Sequence, residues 1–187
     1  MPLLPLEPFL FSDELLSNPA PESESPERWW VLHTRPRAEK ALARLCVKKN
    51  LPFFLPLYHK KWRSQGRLQS SYLPLFPGYV FLMGDGEVRL GALETNLVAQ
   101  VLPVVDQRRL HEDLARVNQL ITSDSTVTPE GRLEPGTEVT ITGGPLAGLE
   151  GKVIKRGKNC VFFIEVKFLQ QGVSVEIDGW MIEPSQR

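Results

Sequence analysis

Side chains that carry out covalent chemistry are few and scattered in this chain. His33, His59 and His111 fall in three separate predicted elements, and no Ser/His/Asp or metal-ligand spacing links them. Cys46 and Cys160 form no CxxC pair and are too few for a disulfide framework. Gly143–Gly151 is rich in glycine but joins two predicted strands, so it lacks the helix N-terminus that phosphate binding uses. There is no Walker loop and no GxGxxG after a strand. No catalytic site, metal or cofactor is expected.

Recognition chemistry is better supplied. Between residues 35 and 67, ten Lys and Arg face a single acid, Glu39. Arg35, Arg37, Lys60, Lys61, Arg63 and Arg67 are the candidates there for touching a polyanion. A solvated charged face is the competing reading. The zero formal charge of the whole chain argues against a tight nonspecific nucleic-acid binder, but it is an average. Residues 1–28 hold six acids against one base, which leaves the remainder at +5. Trp30, Phe76, Tyr79 and Phe81 are aromatics of the kind that anchor interfaces, and equally of the kind that fill strand cores.

The elements that must hold these residues can be read from spacing. Composition is globular, with 42% hydrophobic and 24% charged residues. No run approaches the length of a membrane span, and the N-terminus lacks the early basic residues of a secretory signal. With two cysteines, a reducing cytoplasm is the expected home. Residues 1–28, rich in Pro, Ser and Glu, are expected to be a disordered acidic tail, with Phe9–Leu16 as an apolar island inside it. Order is expected from Trp29. A strand at Trp29–Thr34 leads to a helix carrying Ala38, Ala41, Leu42, Leu45 and Cys46 on one face. A hairpin follows around Ser64-Gln65-Gly66, then a strand at Pro77–Met83, a short helix, a strand at Val98–Val105, and a helix carrying Leu110, Leu114, Val117 and Ile121. This order predicts an α+β sandwich, helices on a mainly antiparallel sheet, over residues 29–121.

The polar run 122–135 reads as a flexible linker. Beyond it, five short strands in residues 136–187 are expected to close into a small barrel. Alternation in Cys160–Phe168 sends Phe162, Ile164, Val166 and Phe168 inward, and Phe163 outward with Glu165 and Lys167. The β-branched and aromatic density of this segment, and the glycines before it, weigh against a helical alternative.

Two motifs carry a family resemblance. Gly143-Gly144-Pro145-Leu146-Ala147-Gly148-Leu149-Glu150-Gly151 resembles a KOW motif, with Gly144, Pro145, Gly148 and Gly151 as its marks, and implies an SH3-like barrel. Leu75-Phe76-Pro77-Gly78-Tyr79-Val80-Phe81-Leu82 resembles the Phe-Pro-Gly-Tyr-Val core of the NusG N-terminal domain, and Trp29-Trp30-Val31-Leu32 its opening strand. Together, over residues 29–183, the chain is similar to the NusG family of transcription elongation factors. The resemblance implies a monomer whose N-terminal domain binds the clamp helices of the largest RNA polymerase subunit through an apolar depression, matched here by Trp30, Phe76, Tyr79 and Phe81. It also implies an approach to upstream or non-template DNA at the basic segment, and suppression of pausing or termination. Phe163 and Leu169 fall on the barrel surface that meets a ribosomal protein or Rho in the housekeeping factor. The loop Leu169-Gln170-Gln171-Gly172 lacks that factor's Phe-Gly-Arg-x-Thr-Pro, which puts both partners in doubt. With the acidic tail, this points towards a specialised paralogue of the RfaH-like kind, although RfaH's own His-Thr-Thr-Thr is replaced here by Arg89-Leu90-Gly91-Ala92. A ribosome-associated RNA-binding KOW protein is the alternative; it leaves Phe76–Phe81 without a task.

Overall fold

In the computed structural model, which describes residues 7–22, 24–123, 125–130, 136–156, 159–177 and 182–184, the chain divides into Met1–His111 and Glu112–Arg187. Every strand pairing among the described residues is antiparallel. The architecture is α+β, as expected from the order of elements.

The first unit is built on strands β1 (Leu10–Phe11), β2 (Arg28–Thr34), β3 (Phe53–Phe54), β6 (Tyr79–Gly84) and β7 (Val98–Pro103), ordered β1-β3-β6-β2-β7. Alternation gives β2 and β6 two working faces. On one, Leu32, Val80, Leu82 and Phe53 meet Leu42, Ala43 and Cys46 of helix α1 (Glu39–Lys48) and Ala92 of helix α2 (Gly86–Leu93). On the other lie Trp29, Val31, Phe54 and Phe81, all with no exposed surface. The first turn of helix α3 (Gln107–Thr122) is tied to this second face. The Gln107 Oε1 accepts the Trp29 backbone N–H at 2.6 Å, while its Nε2 donates to the Trp29 carbonyl at 3.1 Å. The Trp29 indole N–H donates to His111 Nδ1 at 3.3 Å. Strands β4 (Leu57–Ser64) and β5 (Arg67–Pro74) form a separate two-stranded ribbon, the predicted hairpin.

The acidic tail is not free. Leu10 and Phe11 pair with Phe54 and Phe53, Leu55 donates its N–H to the Phe9 carbonyl at 2.6 Å, and Leu15 and Leu16 are buried. Glu7 pairs with Arg44 of α1 at 2.6 Å. Strand β3 would otherwise present an unpaired edge, and the Phe9–Leu16 island supplies both backbone partners and apolar cover. Composition averaged over residues 1–28 conceals these few apolar side chains.

The second unit is a six-stranded sheet of β8 (Val127–Glu130), β9 (Thr137–Ile141), β10 (Glu150–Arg156), β11 (Asn159–Val166), β12 (Gln171–Ile177) and β13 (Ile182–Pro184). Its order is β13-β9-β10-β11-β12-β8, so the described strands make an open sheet and not a closed barrel. The expected linker contributes to it. Val127–Glu130 pairs with Gly172–Val175, and Pro129, which cannot donate a hydrogen bond, is tolerated because β8 is an edge strand. Residues 131–135 and Trp180, expected in linker and strand, lie outside the described residues.

Candidate functional site

The turn before β6 is held by hydrogen bonds from two elements. Gly78 takes φ +87°, which a side chain rarely allows, and a Cβ there would come within 3.4 Å of the His33 ring. Its N–H donates to Glu39 Oε1 at 2.7 Å, and its carbonyl accepts from the Thr34 N–H at 2.8 Å. Glu39, buried at the start of α1, therefore ties the helix to the turn, and the Gly78 carbonyl ties the turn to the end of β2. Tyr79 follows, half-buried, its ring 5.3 Å from that of His33, with Pro77 exposed beside it. Sequence reasoning registered Glu39 only as the lone acid in a basic stretch. Its isolation among ten bases was the available signal.

The four aromatics expected to form one depression do not share a face. Trp30 pairs with Leu82 and Val31 with Phe81, so Trp30 projects to the side of Leu32 and Leu82, opposite Tyr79 and Phe81. There its indole N–H donates to the Gly84 carbonyl at 3.0 Å, and Arg89 stands 5.2 Å from the ring. Phe76 and Phe81 are on the Tyr79 side but are 1% and 0% exposed. They meet edge-to-face at 6.2 Å, with Phe54 6.4 Å from Phe81. These two are core residues, because hydrophobic neighbours on β2 and β3 pack around them. Of the four, Tyr79 and Trp30 keep accessible surface, on different faces.

The basic residues fall into two groups. Arg35 and Arg37 are exposed in the β2–α1 loop, where Arg37 takes φ 60°. Lys60, Lys61, Arg63 and Arg67 are exposed on the β4–β5 ribbon. None of the six makes an ion pair with a described residue.

In the second unit the Gly144–Gly151 loop has the geometry its glycines demand. Gly144 and Gly148 take φ of +78° and +85°, Gly148 donates its N–H to Ile141 at 2.7 Å, and Leu146 and Leu149 are buried beneath the loop, while Pro145 is exposed. A Cβ on Gly151 would sit 2.6 Å from the Phe162 ring. Phe163, expected outside, is fully buried over Gly172, whose added Cβ would come within 2.5 Å of its ring. The alternation argument assumed one covered face, but β11 is covered on both, with Val161 through Ile164 all buried. Strand β11 ends at Val166, so Phe168 lies in a short helical turn, Lys167–Leu169, and is only half-buried; Leu169 is half-buried in the same turn. That turn is held by the buried Asp113, whose Oδ2 accepts the Lys167 N–H at 3.1 Å.

Among the described residues no group of three or more His, Cys, Asp and Glu side chains is placed to hold a metal. Burial pushes the Cys46 thiol up to about 12, partly opposed by the Lys49 charge, so it stays a protonated core side chain. No described helix is long and apolar enough to cross a membrane.

The first unit thus combines an antiparallel sheet with helices, a braced Phe-Pro-Gly-Tyr turn and an exposed basic ribbon. The family model described as transcription termination factor NusG matches residues 27–127, a little over half of the chain, and the chain belongs to the NusG family. It is thus a transcription elongation factor and not an enzyme. No curated protein matches. Seventeen solved chains do. One, from a crystal structure of an MjSpt4:Spt5 complex in conformation B, is 18% identical with a TM-score of 0.29, over 85% of this chain and 97% of that chain.

Proposed function

We propose that this chain binds elongating RNA polymerase through the clamp helices of its largest subunit and suppresses pausing or termination. The observation that carries the reading is the Glu39-braced turn, which fixes Tyr79 and His33 side by side with accessible surface on a rigid strand end. A half-buried aromatic on a fixed backbone loses little entropy on docking, and aromatics commonly anchor interfaces. The contact centres on Tyr79, His33 and Pro77, with Phe76 and Phe81 supporting them from within. The basic ribbon then reaches upstream or non-template DNA, its cations compensating phosphate charge. The second unit recruits a further partner from exposed positions near Leu169 and the Gly144–Gly148 loop.

Affinity purification of the tagged chain tests this. RNA polymerase subunits in the eluate, lost with Tyr79→Ala, are expected. Ribosomal RNA and ribosomal proteins without polymerase would overturn the reading in favour of a ribosome-associated protein.

A further inference from the structure

Charge alone does not account for the β4–β5 ribbon. Leu57–Ser64 and Arg67–Pro74 contain no acid, and alternation divides their side chains between two faces. Lys61, Arg63 and Leu68 share one face with the stacked His59 and Tyr72 rings, and Tyr72 runs back into the hydrophobic core. The opposite face carries Lys60, Trp62 and Arg67. Lys60 precedes Trp62 by two residues, and Arg67 lies diagonally across the ladder, since Trp62 pairs with Gln69 and Ser64 with Arg67. Trp62 is 40% exposed, on a strand whose residues from His59 to Ser64 are all exposed. A tryptophan left in water gives up burial that a strand aromatic normally gains. Two cations flank it, and nothing in the ribbon neutralises them.

We propose that Trp62 is a stacking platform for an unpaired nucleotide base, with Lys60 and Arg67 holding the phosphates on either side. This rests on the nucleic-acid reading of the ribbon above and assigns it a ligand class, a single strand. Every base has an apolar π-face, so an exposed indole stacks on any of them with little sequence preference. In a duplex those faces are already covered by neighbouring base pairs, so the indole selects for unpaired nucleotides. The cations attract either form. Trp62 discriminates between them.

Fluorescence anisotropy of the full chain is measured with oligothymidylate and oligouridylate of about 20 nucleotides, longer than common single-strand sites, and with a duplex of the same length. Trp62→Ala is expected to weaken both single-stranded probes about tenfold or more, with the salt slope and the duplex affinity unchanged. Trp62→Phe should recover most of the loss, because a smaller ring still stacks. Neutralising Lys60, Lys61 and Arg63 should weaken every probe and flatten the salt dependence. If Trp62→Ala binds single strands like the wild type while the neutralised variant does not, stacking is wrong and the nucleic-acid reading survives. If the wild type binds no probe, both fall. Should Trp62→Ala misfold by circular dichroism, the decision passes to wild-type and Trp62→Phe protein. Loss of indole quenching on binding in the Phe variant would support the platform, and identical quenching would refute it.

Discussion

Phe81 and Tyr79 stand two residues apart on one strand and point to the same face, yet truncating them should have opposite consequences. Phe81 is 0% exposed, edge-to-face with Phe76 at 6.2 Å and 6.4 Å from Phe54. Phe81→Ala removes a whole ring and leaves a cavity that strands on either side cannot collapse into, at a cost of about 3–5 kcal/mol. Set against a typical total stability of about 5–15 kcal/mol, that is a large fraction of what holds the unit folded. At about 4 °C per kcal/mol or more, the melting temperature should fall by more than about 10 °C. Tyr79→Ala loses partial burial and the His33 ring contact, about 1 kcal/mol. Urea midpoints and thermal melts on both variants, paired with a polymerase titration, separate the effects. Tyr79→Ala should stay folded and lose polymerase affinity tenfold or more. A Phe81→Ala protein melting within a degree or two of wild type would refute the packing argument. A folded Tyr79→Ala protein with wild-type affinity would refute the proposed surface.

Two further outcomes follow from buried groups. Glu39→Ala should lower stability by about 1.5–3 kcal/mol in urea denaturation, because it leaves the Gly78 N–H without its charged acceptor, whereas Glu39→Gln, which keeps an oxygen there, should lose less. Cys46 should resist alkylation in the native protein at pH 8 and react only after unfolding. Its folded pKa of about 12 lies above the unfolded value of about 8.5, so its stabilising contribution is complete below about pH 8.5 and is lost as pH rises towards 12. An alkaline stability curve of Cys46→Ala flatter than wild type over that window checks the sign.

What could be read from the sequence was set by local rules. Alternation and helical spacing placed β2, α1, β6, α3 and the hairpin because each carries its period within its own residues. The Phe-Pro-Gly-Tyr segment was legible only as a resemblance: its residues read as a strand from Pro77, whereas the backbone turns at Gly78, φ +87°, and β6 begins at Tyr79. The errors came from information that lies elsewhere in the chain. Whether Phe163 faces in or out depends on how many faces of β11 are covered, which β11 itself does not encode. Trp30 was grouped with Tyr79 by motif, although parity along β2 and β6 already separates them, once the Trp30–Leu82 register is known. The role of Glu39 needed the fold, since its partner lies 39 residues away.

The N-terminal strap shows how weakly a local reading constrains such a contact. Phe9, Phe11, Leu15 and Leu16 together contribute on the order of 6 kcal/mol of burial, while ordering about ten backbone residues costs on the order of 10 kcal/mol. Backbone pairing with β3 and the exposed Glu7–Arg44 pair offset part of the difference, the latter by less than about 1 kcal/mol. The strap is thus close to energetic balance, and deleting residues 1–16 should shift the urea midpoint only slightly. Its larger effect is on the sheet edge. Without β1, Phe53 and Phe54 present an unpaired strand at the end of a hydrophobic sheet, a template for pairing with a second chain. Sedimentation velocity of the truncated protein should therefore show concentration-dependent self-association that the full chain lacks. A truncated chain that sediments as a monomer at every concentration would show that β3 needs no cover and that the strap contact does not protect the edge.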